Sequence, residues 1–369
     1  MKRASLRRWA AVTAVVALLC AIPMLVSALP VSVPKLTAGQ LRGRILASAR
    51  LSYAGYAESN ATFGLPSLPG LADVTSLLDG VTKMRVWQAS PDRWRVDMLS
   101  DTGERDTYQL GSQSYIWDSG QELLTEVVGQ PSLRLPRAAD LVPPALAIRL
   151  LDEAGQHARF SVIAPLRVAG KGAAGLQMTP TDPASTIARI DIWAEPGNGL
   201  PLMVEIFGRG SSAPALESQF FEVGPWRPDA AVLTPTRGPG TGFTTTSARS
   251  LSGELNNLAT AYLPRRLAGR DRIPEPPAFN QVGVYGGGLS TFAVLGIRGN
   301  SDLVGEALSA GGVALDLPGG TAALISAPLV NGVIVQPAGS VITYLIAGTI
   351  SASVLEQSAV TLTTQDSYP

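Results

Sequence analysis

His157 is the only histidine and Cys20 the only cysteine of this 369-residue chain, so few kinds of catalysis are open to it. A Ser-His-Asp triad would have to run through His157, which follows Asp152-Glu153-Ala154-Gly155-Gln156 in what reads as a helix-to-strand turn. A solvent-facing loop histidine is the expectation there. One histidine and one cysteine also rule out His-rich and thiolate metal sites. The paired carboxylates, Asp101 with Glu104 and Asp152 with Glu153, fall in a turn and at a helix end, where solvation and capping explain them. Gly286, Gly287 and Gly288 lack the spacing of a P-loop or a dinucleotide-binding turn. The inventory predicts a protein that is not an enzyme, with no catalytic residue, no metal site and no cofactor. An envelope hydrolase using a serine with His157 is the weak alternative.

The N-terminus says where such a protein works. Lys2, Arg3, Arg7 and Arg8 precede a run from Trp9 to Pro34 without a charged residue, the pattern of an export signal. Small residues at Val26-Ser27-Ala28 suit cleavage after Ala28. The run is also long enough, at about 20 residues, to stay as a membrane anchor. Either way the basic flank stays cytoplasmic and the remainder crosses, so the expected location is extracytoplasmic, secreted or periplasmic, or anchored in the cytoplasmic membrane. Leu19 before Cys20 argues against lipidation. Removing residues 1 to 28 takes four of the 29 positive charges and none of the 29 negative ones, which leaves 25 against 29. A mildly acidic chain is a poor nucleic-acid binder.

Any site must then be carried by packing. Thr37 caps a helical pattern from Leu36 to Leu51. After it come short strands separated by SPDR, SDTGE, GSQ and SG, which read as consecutive hairpins. Trp94, Val96 and Met98 alternate with Arg93, Arg95 and Asp97, so one sheet face is apolar and the other is wet. The opening helix and a second one over Ala138–Ala154 are the elements able to cover the apolar face. Between Phe63 and Gly80, GLPSLPGLADVTSLLDG interrupts the strands with leucines, as either a lid over an apolar cavity or a packed plug. The candidate ligand-binding residues are therefore Trp94, Val96 and Met98 on the strand and Leu65, Leu68 and Leu71 in the break. A sheet that encloses an acyl chain gains roughly 0.8 kcal/mol per buried methylene.

Composition, 46% apolar and 16% charged with 38 Gly and 28 Pro, suits β-rich domains with many turns. Four regions are expected: residues 1–35 as signal peptide or anchor, 36–224 as the large β-rich domain, 225–280 as a linker that hugs the surface, with a helical stretch over 251–261, and 281–362 as a small α+β domain. From Leu317 to Leu355 the chain carries no charged residue, and its Pro, Gly and Asn residues divide it into buried strands rather than a membrane span. Ser353 with Glu356 fits the cap of a terminal helix.

Two stretches, Trp87-Gln-Ala-Ser-Pro-Asp-Arg-Trp-Arg-Val-Asp97 and Ile190-Asp-Ile-Trp-Ala-Glu-Pro-Gly-Asn-Gly-Leu-Pro-Leu-Met-Val-Glu205, resemble signatures of the LolA-like lipoprotein carrier superfamily. Tyr285-Gly-Gly-Gly-Leu-Ser-Thr-Phe-Ala-Val-Leu295 and Val341-Ile-Thr-Tyr-Leu-Ile-Ala-Gly-Thr-Ile350 resemble the small domain of periplasmic sigma-factor regulators of the RseB/MucB type. The resemblance implies an α+β fold in which a large antiparallel unclosed β-barrel wraps helices and a smaller α+β domain follows. It implies an acyl chain, lipid or lipoprotein as ligand, and a membrane anti-sigma factor as partner of the small domain. A carrier or chaperone of lipid or lipoprotein in the cell envelope is the alternative role.

Overall fold

The computed structural model describes residues 31–64, 72–129, 134–248, 263–274, 282–298 and 302–364. The expected export signal, the candidates Leu65, Leu68 and Leu71, and the helix expected over 251–261 lie outside the described residues. No helix among the described residues is long and apolar enough to cross a membrane.

Helix α1 (Ala38–Ala47) starts at the Thr37 cap, where the Thr37 hydroxyl accepts from the Gln40 amide and the Gln40 side chain accepts from the Thr37 amide. It buries Leu41 and Ile45, four apart on one face. Hairpin strands follow: β1 (Tyr53–Thr62), the short helix α2 (Ala72–Leu78), β2 (Asp79–Ser90), β3 (Arg93–Ser100), β4 (Gly103–Leu110), β5 (Gln113–Asp118) and β6 (Leu123–Val128). The helical pattern at 138–154 divides into a 3-10 turn (Ala138–Leu141) and α3 (Pro143–Ala154). The break falls there because Pro143 and Pro144 lack amide donors and are tolerated only in a first turn. Leu146, Ala147, Leu150, Leu151 and Ala154 form its buried stripe.

Strands β7 (Ala158–Val168), β8 (Lys171–Pro180), β9 (Ile187–Ala194), β10 (Pro201–Gly208), β11 (Leu216–Gly224) and β12 (Gly242–Ser247) complete a twelve-stranded sheet in the order β12-β6-β5-β4-β3-β2-β1-β11-β10-β9-β8-β7. All neighbours are antiparallel except β12, which runs parallel to β6 and comes from the Pro- and Gly-rich stretch after residue 225. The two end strands do not pair with each other, so the sheet is an unclosed barrel wrapped around α1 and α3. Edge strand β7 carries Pro165 in an irregularity between Ile163 and Leu166, a device that discourages further pairing.

After a two-strand ribbon, β13 (Arg266–Leu267) and β14 (Arg270–Asp271), a six-stranded antiparallel sheet forms from β15 (Val282–Gly287), β16 (Ser290–Arg298), β17 (Val313–Leu317), β18 (Gly320–Ser326), β19 (Asn331–Pro337) and β20 (Ile342–Gly348). One face packs Val333, Val335 and Ile346 against Leu355 and Ala359 of α5 (Ala352–Thr364). The other packs Ala323 against Val304 and Ala307 of α4 (Leu303–Ser309). Cover on both faces explains the apolar run in this region. Helix α5 begins before Ser353, so that serine lies inside it.

The two sheets meet at residues 184–186. The Thr186 amide donates to the Thr349 carbonyl (3.1 Å), the Ser351 amide to that of Ala184 (2.7 Å), and the Thr186 hydroxyl to that of Leu329 (2.6 Å). Leu289 and Leu329 of the small sheet enter the core of the large one. Only glycine fits at position 208, where a Cβ would stand 2.5 Å from the Pro328 carbonyl oxygen.

Candidate functional site

The concave face of the large sheet is built by β1, β2 and β3, whose register sets Val86 opposite Val96 and Gln88 opposite Trp94. Helix α3 lies over this face and leaves a cavity of about 440 Å3. Tyr53, Val86, Trp94 and Val96 form the sheet wall, and Ala145 and Ile148 form the helix wall. At one end Gln88 closes the floor: its side-chain NH2 donates to the carbonyls of Leu51 (3.1 Å) and Ala49 (3.3 Å), and its Oε1 accepts from the Tyr53 hydroxyl (3.2 Å). Of the six sequence candidates, the structure brings Trp94 and Val96 to the cavity. Met98 packs against the same core without lining it.

Beyond α3 the concave face opens into a second cavity of about 540 Å3, with Ile116 and Val127 on its sheet side. Trp94, Arg134 and Arg137 belong to both cavities and form the wall between them. Arg134 holds Asp140 by two bonds of 2.6 Å, and the Arg137 amide donates to the same carboxylate (2.8 Å). Burial opposes the Asp140 charge, but these donors prevail and hold its carboxyl below the usual carboxylate range. Ala145 and Ile148 stand on the helical stripe that the sequence shows over 138–154, though not among its ligand candidates; Arg134 and Arg137 were missed, and the signal available for them was the RxxR spacing just before α3.

The face expected to be wet is exposed at Arg93 but covered at Asp97. Asp97 and Asp106, cross-strand partners in β3 and β4, are each 1% exposed. Arg95 binds both, its Nε 2.5 Å from Asp97 and its Nη2 2.8 Å from Asp106, and its Nη1 reaches the Val232 carbonyl at 3.4 Å. The chain around buried Leu233 thus lies over these charges. Trp87 and Tyr108 rings flank the guanidinium at 5.2 and 5.0 Å. Burial first, then the Asp97 charge, pushes the Asp106 carboxyl up to about 7. Glu104 joins these two acids in a cluster with the spacing of a metal site. The Arg95 guanidinium supplies a positive charge to Asp97 and Asp106 there, while Oδ1 of Asp106 is buried without a hydrogen-bond partner.

A second acidic row crosses the outer face, where Glu205 faces Asp191 on one side and Glu217 on the other. Burial and these two charges push Glu205 up to about 7. A carboxyl raised in the folded state contributes stability that is present at low pH and lost as pH rises through its folded value. Glu205→Gln is therefore expected to raise stability at about pH 8 by about 1 kcal/mol, after allowance for solvent screening, and to have no such effect near pH 5. Thermal unfolding at the two pH values checks this; an equal shift at both would refute it.

His157 is exposed and follows α3, its carbonyl accepting from the Thr181 amide (2.9 Å) and hydroxyl (3.0 Å). Its ring lies against Gly287 and Gly288 of the small sheet.

No family model and no curated protein matches the chain. Solved structures do. The chain is similar to MucB. The structure of the Pseudomonas aeruginosa MucA/MucB complex aligns with a TM-score of 0.48 and 16% identity, covering 88% of this chain and 97% of that one. MucB solved by itself gives 0.44 and 15%, over 88% and 96%. A LolA superfamily protein from Nitrosomonas europaea aligns with a TM-score of 0.23 and 12% identity, over 55% of this chain and 99% of that one.

Proposed function

We propose that this is an extracytoplasmic, non-enzymatic binding protein that takes an acyl chain into the cavity between α3 and the β1–β3 face, and that reports the ligand to a membrane partner. The observation that carries the reading is the cavity itself: Val86, Trp94 and Val96 line it from the sheet and Ala145 and Ile148 from the helix, with Arg149, Asp152 and Glu153 of α3 on the same lining. An acyl chain entering it leaves water at both walls, and each buried methylene stabilises the complex by roughly 0.8 kcal/mol. The resemblance drawn from the sequence adds the partner, a membrane anti-sigma factor engaged chiefly by residues 281–362, and makes this a sensor or regulator.

Native mass spectrometry and solvent extraction of the purified exported protein test the ligand. A bound acyl compound, or uptake of a long-chain probe after delipidation, is expected. A protein that carries none and takes up none would defeat the reading.

A further inference from the structure

Arg137 stands on the wall that the two cavities share. Its Nε is buried without a hydrogen-bond partner, and no carboxylate among the described residues forms an ion pair with its guanidinium. The neighbouring Asp140 is committed: both its oxygens are taken by Arg134, and one also accepts the Arg137 amide. The other charges on the lining do not compensate, since Arg149 is paired with Glu153 at 2.8 Å and Asp152 is exposed at the far end of α3. Trp94 holds the guanidinium in place, 5.6 Å from its ring centroid. A half-buried guanidinium without a counter-ion is costly, and burial together with Arg134 lowers its proton affinity. The partner it lacks is an anion.

Size and charge narrow the anion. A methylene takes up nearly the volume of a water, whose share of the liquid is about 30 Å3. A cavity of about 440 Å3 therefore accommodates a chain of roughly fifteen carbons. One unpaired guanidinium balances one negative charge, and its planar fork matches the two oxygens of a carboxylate. We propose that Arg137 anchors the carboxylate of a single-chain amphiphile, a long-chain fatty acid, whose tail occupies the adjoining cavity. This rests on the acyl-binding reading above and specifies the headgroup.

Binding of hexadecanoate, hexadecanol and hexadecyl phosphate to the delipidated exported protein separates the two claims. The wild type is expected to bind hexadecanoate at least about tenfold more tightly than hexadecanol, about 1.4 kcal/mol. Arg137→Gln should remove that preference by lowering hexadecanoate affinity about tenfold relative to hexadecanol, and Arg137→Lys should restore part of it. Equal affinities for acid and alcohol would overturn the carboxylate anchor while leaving the cavity reading intact, as would a phosphate that binds best. Binding of none of the three would overturn both. Should the Arg137 variants not fold, wild-type pH titration decides. Loss of hexadecanoate affinity as its carboxyl protonates, with hexadecanol unaffected, supports the anchor; parallel curves overturn it.

Discussion

Replacing Arg95 by methionine is expected to destabilise the protein by about 3–5 kcal/mol at neutral pH, the usual cost of removing one partner of a buried ion pair. The reason is the position of Asp97 and Asp106. Each side chain is 2% exposed and each takes its charge partner from the single Arg95 guanidinium. Without it, two carboxylates face each other across a strand pair with Glu104 nearby. The pH dependence has a definite sign. Asp106 is already raised to about 7 with Arg95 in place, so the variant's deficit should be greatest near pH 8 and shrink towards pH 5 as the acids take up protons. Adding Asp97→Asn and Asp106→Asn to the same chain should recover most of the loss at about pH 8, because it removes the unpaired charges themselves. Urea unfolding at both pH values measures this. A loss below about 1 kcal/mol with no pH dependence would mean that the acids are solvated.

That cluster marks where sequence reading stops. The alternation of Trp94, Val96 and Met98 with Arg93, Arg95 and Asp97 correctly assigns the apolar face, since side-chain period in a strand is a local property. It also makes the opposite face wet, which holds for Arg93 but fails at Asp97. What buries Asp97 is a distant segment, the chain around Val232 and Leu233, and its course follows from the parallel pairing of β12 with β6. Parallel register with a strand more than a hundred residues away leaves no mark in local periodicity. The same holds for the cavity wall. Ile148 and Ala145 stand on a visible helical stripe, but the gap opposite them depends on how far α3 sits from β2 and β3. Proline explains the break before α3 and was readable; the role of Arg137 was not, because its isolation results from Arg134 capturing Asp140.

Ile148→Trp is expected to weaken acyl binding on the order of a hundredfold without unfolding the protein. Ile148 lines the cavity from α3 and packs only partly against the core, so a larger ring has empty space to enter instead of close-packed neighbours, and the overpacking cost of about 1–3 kcal/mol should stay near its lower end. The ligand loses what the indole displaces. If the ring fills the space of about four methylenes, at about 0.8 kcal/mol each, affinity should fall by about 3 kcal/mol, on the order of a hundredfold. Met98→Ala offers the contrast, since Met98 touches the same core but lines neither cavity: it should lower stability by about 2–5 kcal/mol at most and leave affinity nearly unchanged. Titration of a long-chain probe against both variants, beside their melting temperatures, distinguishes an occupied cavity from a packing defect. Retained affinity in the Ile148 variant would place the acyl chain elsewhere, and the second cavity beyond the Trp94–Arg137 wall would then be the next to fill.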